Sequence, residues 1–167
     1  MADVDELIAQ LMNEQARAVA AVESLRALRE EVTANERQLE GPKAAAEQID
    51  FFMGFFHHGA EEIGRIAAGL PDGISRAGID ALRQLASNSA AEHRRLVQFR
   101  DKWVNKPLPY ETMRALLTGI SDVTRTQLDA FRGLTETATA LDAGFAEQES
   151  KGFDRRALFS RLFKPEK

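Results

Sequence analysis

The sequence predicts an all-α protein, an antiparallel up-down four-helix bundle with two long helices (the first and the fourth) and a short C-terminal amphipathic helix. Three observations predict it. Apolar residues recur at spacings of three, four and seven along four long stretches. Turn signals separate those stretches: Gly41-Pro42, Gly69-Leu70-Pro71-Asp72-Gly73 and Asn105-Lys106-Pro107-Leu108-Pro109. Ala, Leu, Glu, Arg and Gln, all good helix formers, dominate a chain of 167 residues with only five Pro, one Trp and one Tyr.

The first helix is expected from about Asp3 to Leu39. Val4, Leu11, Ala18, Leu25, Val32 and Leu39 repeat by seven, a heptad seam. Ile8 and Val22 fill part of a second seam, which Gln15, Arg29 and Glu36 interrupt. Asp3, Asp5 and Glu6 suit the positive end of a helix. Gly41-Pro42 stops it, because proline disfavours helix at the residue before it.

The second helix is expected from about Lys43 to Ala68. Ile49, Phe52, Phe56, Ala60, Ile63, Ala67 and Leu70 share one face. Gly54, Gly59, Gly64 and Gly69 recur every five residues, which puts them on different faces; close helix approach beside bulky Phe or a hinge near Gly54–Gly59 would each use them. The third helix runs from about Ser75 to Val104. It buries Ile79, Leu82, Ala86, Ser89, His93, Leu96 and Trp103 with Leu85 and Phe99 alongside, and Ser87-Asn88-Ser89 makes a polar break. The fourth runs from about Tyr110 to Phe145 through Met113, Leu117, Ile120, Thr124, Gln127, Phe131, Leu134, Ala138, Leu141 and Phe145.

Helix lengths follow from a rise of about 1.5 Å per residue: roughly 55 Å for the first and fourth, roughly 40–45 Å for the others. The surplus turns are therefore expected to project together as a two-helix stalk. Its apolar residues, Val4, Ile8, Leu11, Leu134, Leu141 and Phe145, make a self-association seam, and a homo-oligomer is expected. On this reading Leu11→Asp or Leu141→Asp dissolves the oligomer and leaves helicity intact.

The domain organisation is a bundle over residues 1–146, a linker over 147–152 and a basic amphipathic tail over 153–167. In residues 151–167 six Lys/Arg stand against two Asp/Glu, a net +4, which leaves 16 against 24, or −8, for the rest. At 100° per residue Leu158, Phe159, Leu162 and Phe163 share one face, with Arg156, Ser160, Arg161 and Lys164 opposite. Phe153 and Arg155 complete the set of binding residues, Asp154 can cap the helix, and Pro165 ends it. A helix this short does not persist alone in water, so it must fold on a surface. Three surfaces are open to it: its own bundle, an anionic membrane, or a groove on a protein partner.

Charge and composition exclude several classes. A net charge of −4 and a pI near 5.5 argue against a nucleic-acid binder. The absence of Cys excludes disulfides, thiolate metal sites and cysteine nucleophiles. The start, MADVDELIAQLMNEQ, is acidic rather than a basic leader, and the longest apolar run, Phe51–Phe56, falls far short of the roughly 20 residues of a bilayer span. A cytoplasmic protein, with a peripheral membrane position through the tail, is expected. No nucleophile–base set and no phosphate loop is present, so neither an enzyme nor a resident cofactor is expected.

The function read from these features is a non-enzymatic adaptor or scaffold. The alternative is a metal- or small-molecule-binding bundle. It would use His57 and His58, each four residues before Glu61 and Glu62, with His93 from the third helix. The bland reading of the same residues is a solvated face, with His93 hydrogen-bonded to Ser89. Arg94, Arg95, Arg100, Lys102 and Lys106 are read first as charges suited to a helix C-terminus, and otherwise as a site for an anionic partner.

Overall fold

The computed structural model describes the backbone of residues 3–37, 39, 42–104 and 107–162, and within these the side chains except those of 99, 100, 103, 104 and 152–162. Four helices follow one another: α1 (Val4–Ala34), α2 (Pro42–Gly69), α3 (Arg76–Val104) and α4 (Tyr110–Leu162). A 3₁₀ turn, Leu70–Asp72, joins α2 to α3. The expected all-α bundle is present, and α1 and α4 are its longest helices, at 31 and 53 residues against 28 and 29.

Helix ends follow local chemistry. The Asp3 carboxylate accepts from the Glu6 N–H at 2.8 Å, and the Asp3 N–H donates to the Glu6 carboxylate at 3.3 Å, a reciprocal cap. At the other end Asn35 stops α1 early: its backbone N–H and its side-chain amide both donate to the Glu31 carbonyl. The chain turns from α2 to α3 at Gly73, whose φ of 120° is accessible to glycine alone at little cost. Ser75 then caps α3 by accepting from the Gly78 N–H at 3.0 Å.

The helices pack as antiparallel neighbours. α1 lies against α2 and α4, α3 lies against α4, and of the pairs in contact among the four helices α2 and α3 touch most sparsely. The interruptions in the α1 seam are its links to α2. Gln15 Nε2 donates to the Ala60 carbonyl at 3.0 Å, over the bare Cα of Gly64, and Arg29 forms a two-pronged ion pair with Asp50 at 2.7 and 3.1 Å. Glu36 lies beyond the helix. α2 is unbroken through Gly54–Gly59, and only Gly64 of its glycines is tightly covered by another helix.

The expected stalk is corrected. Because α1 ends at Ala34 and not near Leu39, it outruns α2 and α3 by only three and two residues. Leu7, Leu11, Ala138 and Leu141 are buried at one end of the bundle with Ile63, Ala67, Leu70, Ile74, Ile79 and Leu82. That end is closed by Gln148, which accepts from the Ile74 N–H at 3.0 Å and donates to the Ile74 carbonyl at 3.1 Å. Residues 147–151, in the stretch read as a linker, are helical. A second apolar cluster fills the other end, centred on Leu25, Leu28, Ile49, Phe52, Leu96 and Ile120.

Candidate functional site

Between the two apolar clusters lies a polar layer. Glu14 of α1, Ser89 and Glu92 of α3, and Gln127 of α4 are all buried, Gln127 completely. A small cavity of about 20 Å³ adjoins it, lined by Glu14 and Ser89 together with Phe55, Phe56, Ala130 and Leu134 among others. That volume holds about one water molecule.

The Glu14 carboxylate receives both its bonds from Arg17, at 2.9 and 3.0 Å, and Arg17 also donates to the Asp129 carbonyl at 3.0 Å. Gly133 makes room for this pair: a Cβ there would run into the Glu14 carboxylate. Glu92 Oε1 accepts from Arg95 at 2.6 Å, while Glu92 Oε2, His93 Nδ1 and both polar atoms of the Gln127 amide are buried with no hydrogen-bond partner. Burial pushes both carboxyls above the ordinary glutamate value of 4.5, against the pull of Arg17 and Arg95.

Sequence reading foresaw a polar break at Ser89 and put Gln127 and His93 on inward faces. It missed Glu14 and Glu92. The available signal was the second α1 repeat, Leu7, Glu14, Ala21 and Leu28, spaced by seven and all buried. His93 Nδ1 is buried without a hydrogen-bond partner, so this nitrogen does not make the expected bond to Ser89.

The residues of the alternative metal reading are not brought together. His57 pairs with Glu61 at 3.1 Å on the outer face, both largely exposed, and Glu62 pairs with Arg65 at 2.9 Å. Among the described residues no group of three or more His, Cys, Asp or Glu side chains is placed to hold a metal ion.

The self-association set divides by burial. Leu11, Leu134 and Leu141 belong to the chain's own core. Ile8 and Phe145 are half-buried against it, the Phe145 ring lying 4.7 Å beneath the Arg76 guanidinium, and Val4 is 41% exposed. Of the basic cluster, Arg95 lies over the exposed Phe51 ring at 5.8 Å, and Arg94 and Lys102 are exposed. The side chains of Arg100 and Lys106 lie outside the described residues, as do those of the tail set Phe153, Arg155, Arg156, Leu158, Phe159, Arg161, Leu162, Phe163 and Lys164.

Among the described residues no helix is long and apolar enough to cross a membrane. Comparison with protein-family models, with curated proteins and with solved structures finds no match to this chain.

Proposed function

We propose that the chain is a non-enzymatic helical adaptor or scaffold, in which a self-contained bundle carries a basic Phe/Leu tail that docks on a protein partner or an anionic membrane. The observation that carries this reading is the separation of charge along the chain. Residues 151–167 hold a net +4 and a net −8 resides in the rest, and the division falls just after Gln148 closes the bundle. Burying the Leu and Phe side chains of the tail halfway gives about 3–6 kcal/mol before the cost of ordering, and each basic residue beside an anionic surface adds about 1 kcal/mol. Such docking is weak and reversible. Self-association would strengthen it by avidity, and would draw on Val4, Ile8 and Phe145, since Leu11, Leu134 and Leu141 are taken up by the core.

The test compares the full chain with one ending at Ser150. Flotation on anionic but not neutral vesicles, weakened by salt and lost on truncation, supports the membrane arm. Retention of a partner protein by the full chain, lost with Phe159→Ala or Phe163→Ala and without flotation, supports the groove arm. Equal behaviour of the two chains in both assays overturns the proposal.

A further inference from the structure

A groove runs between α1 and α4 at the end of the bundle away from Gln148. Its volume is about 600 Å³, within the roughly 300–1,000 Å³ of ordinary binding pockets. Small residues open it: Ala27 of α1 and Ala115 and Gly119 of α4 line it. The helices come so close beneath it that a Cβ added at Gly119 would stand 3.1 Å from the Leu28 side chain. Glu30 and Glu31 of α1 and Glu111 and Asp122 of α4 line it as well, all four exposed. Among the described lining residues the one base is Arg114, and Arg125 lies 3.8 Å from Asp122. A groove of similar size beside the α2–α3 turn, about 570 Å³, sets Glu62 and Asp72 against Arg65 and is nearer neutral.

The chain itself carries a segment that complements the acidic groove. Residues 151–167 combine a net +4 with Leu158, Phe159, Leu162 and Phe163. At 100° per residue Arg155 falls between Leu162 and Phe159, on the apolar face. Leu and Phe side chains laid on the small-residue floor would leave the long basic side chains free to reach the carboxylates at its edges.

The groove of its own bundle is beyond that segment. Gln148 is held to Ile74 at the opposite end. Asp122 precedes Gln148 by 26 residues of helix, about 39 Å, and Glu111 precedes it by 37, about 56 Å. From Gln148 to Phe153 a fully extended chain spans at most about 18 Å, and a helix over 153–164 adds about 18 Å. Doubled back as far as it can go, such a segment stops short even of Asp122. A second copy has no such limit. Two chains laid antiparallel along their α1–α4 faces set the tail end of each beside the groove end of the other, a two-fold arrangement with two reciprocal contacts.

We propose that the α1–α4 groove is the docking site for the basic Phe/Leu segment of a second copy of this chain, so that two chains exchange tails in an antiparallel dimer. This rests on the reading of the segment as a docking element and names its partner. Each contact is weak alone, and the second forms at the high effective concentration set by the first.

Sedimentation velocity over a concentration series tests this on the full chain. The wild-type chain is expected to dimerise. Dimerisation should weaken as salt rises from about 0.1 M to about 1 M, over which the screening length falls from about 10 Å to about 3 Å. A chain ending at Ser150 should stay monomeric. Glu30→Arg with Glu111→Arg, both at exposed positions, should weaken dimerisation at least about tenfold. Adding Arg155→Glu and Arg156→Glu to that chain should restore it, because the charges then match in the opposite sense. A wild-type chain that is monomeric at every concentration overturns the exchange, as does a dimer that groove reversal leaves unchanged or that the compensating reversal fails to restore. In those cases vesicle flotation or partner capture that still depends on the tail leaves the docking reading standing; full and shortened chains that behave alike in every assay remove both. Amide NMR shifts of the wild-type chain on dilution decide independently of whether the variants fold. Shifts at residues 24–31 and 111–122 support the groove, and shifts confined elsewhere overturn it.

Discussion

Gln127 carries a visible cost. Its side chain is fully buried and neither polar atom has a partner, so folding strips its water and returns nothing. Replacing such a group by an apolar one of similar size removes the penalty. Gln127→Leu is expected to stabilise the bundle by about 1–2 kcal/mol, read as a higher denaturant midpoint with an unchanged slope. Two glycines give opposite outcomes for the same change. At Gly133 an added methyl meets the Glu14 carboxylate and the Arg17 guanidinium, and Glu14 is buried and cannot swing into water. Gly133→Ala should therefore cost about 1–3 kcal/mol by breaking that pair's fit. At Gly54 nothing lies within 4 Å of the added atom. Gly54→Ala should gain up to about 1 kcal/mol of helix propensity. Equal melting temperatures for the two variants would contradict the packing described for Gly133.

At the scale of the element, α1 shows what the sequence made legible and what it did not. Of the heptad Val4, Leu11, Ala18, Leu25, Val32 and Leu39, all but Val4 are buried, because a three-four stripe can only be stable facing other apolar surface. The length argument, however, places Leu11 in a projecting seam, and it is fully buried inside the chain. The error came from length: Asn35 ends the helix by bonding to Glu31, and a propensity reading continues to the next Gly-Pro. Leu11→Asp is accordingly expected to lower the melting temperature and the helicity together, independently of protein concentration. A carboxylate in that position has no partner and costs several kcal/mol. Retained helicity with a smaller sedimenting mass would restore the seam. The polar layer was only half legible, since Ser89 and Gln127 broke visible stripes while Glu14 and Glu92 looked like ordinary surface charges. Their burial depends on which side of α1 and α3 faces the interior, a property of three helices at once. α3 and α4 are pinned by Asp142, whose carboxyl is held below its ordinary 3.8 first by the Arg83 hydrogen bond and then by Arg76. A lowered value means that this pair stabilises the fold above pH 3.8 and is lost as pH falls through the folded value. Asp142→Asn should flatten the acid limb of the stability profile and leave the limb above pH 4.5, where Glu14 and Glu92 act, unchanged.

For the whole molecule, Gln148 is the last residue of α4 whose bonds to another part of the chain are described. Its amide makes two hydrogen bonds to the backbone of Ile74, 74 residues away, and so joins the end of the α4 packing to the turn between α2 and α3. Among the described residues, the last apolar residue of α4 packed on the core is Phe145, three residues earlier. Two truncations therefore separate structure from docking. Ending the chain at Ser150 keeps Gln148 and Phe145, removes the segment of net +4, and should leave the melting temperature within a few degrees of the full chain. Ending it at Phe145 keeps the core contact and removes both hydrogen bonds to Ile74. Bonds of this kind contribute about 0.5–1.5 kcal/mol each, and in a domain of this size 1 kcal/mol shifts the melting temperature by about 2–4 °C, so a fall of roughly 4–8 °C is expected. Both shortened chains should fail equally in vesicle flotation and partner capture, because both lack Phe153 to Lys164. A chain ending at Ser150 that melts as low as the one ending at Phe145 would make the tail a strap on its own bundle, and the charge separation along the chain would then serve folding in place of docking.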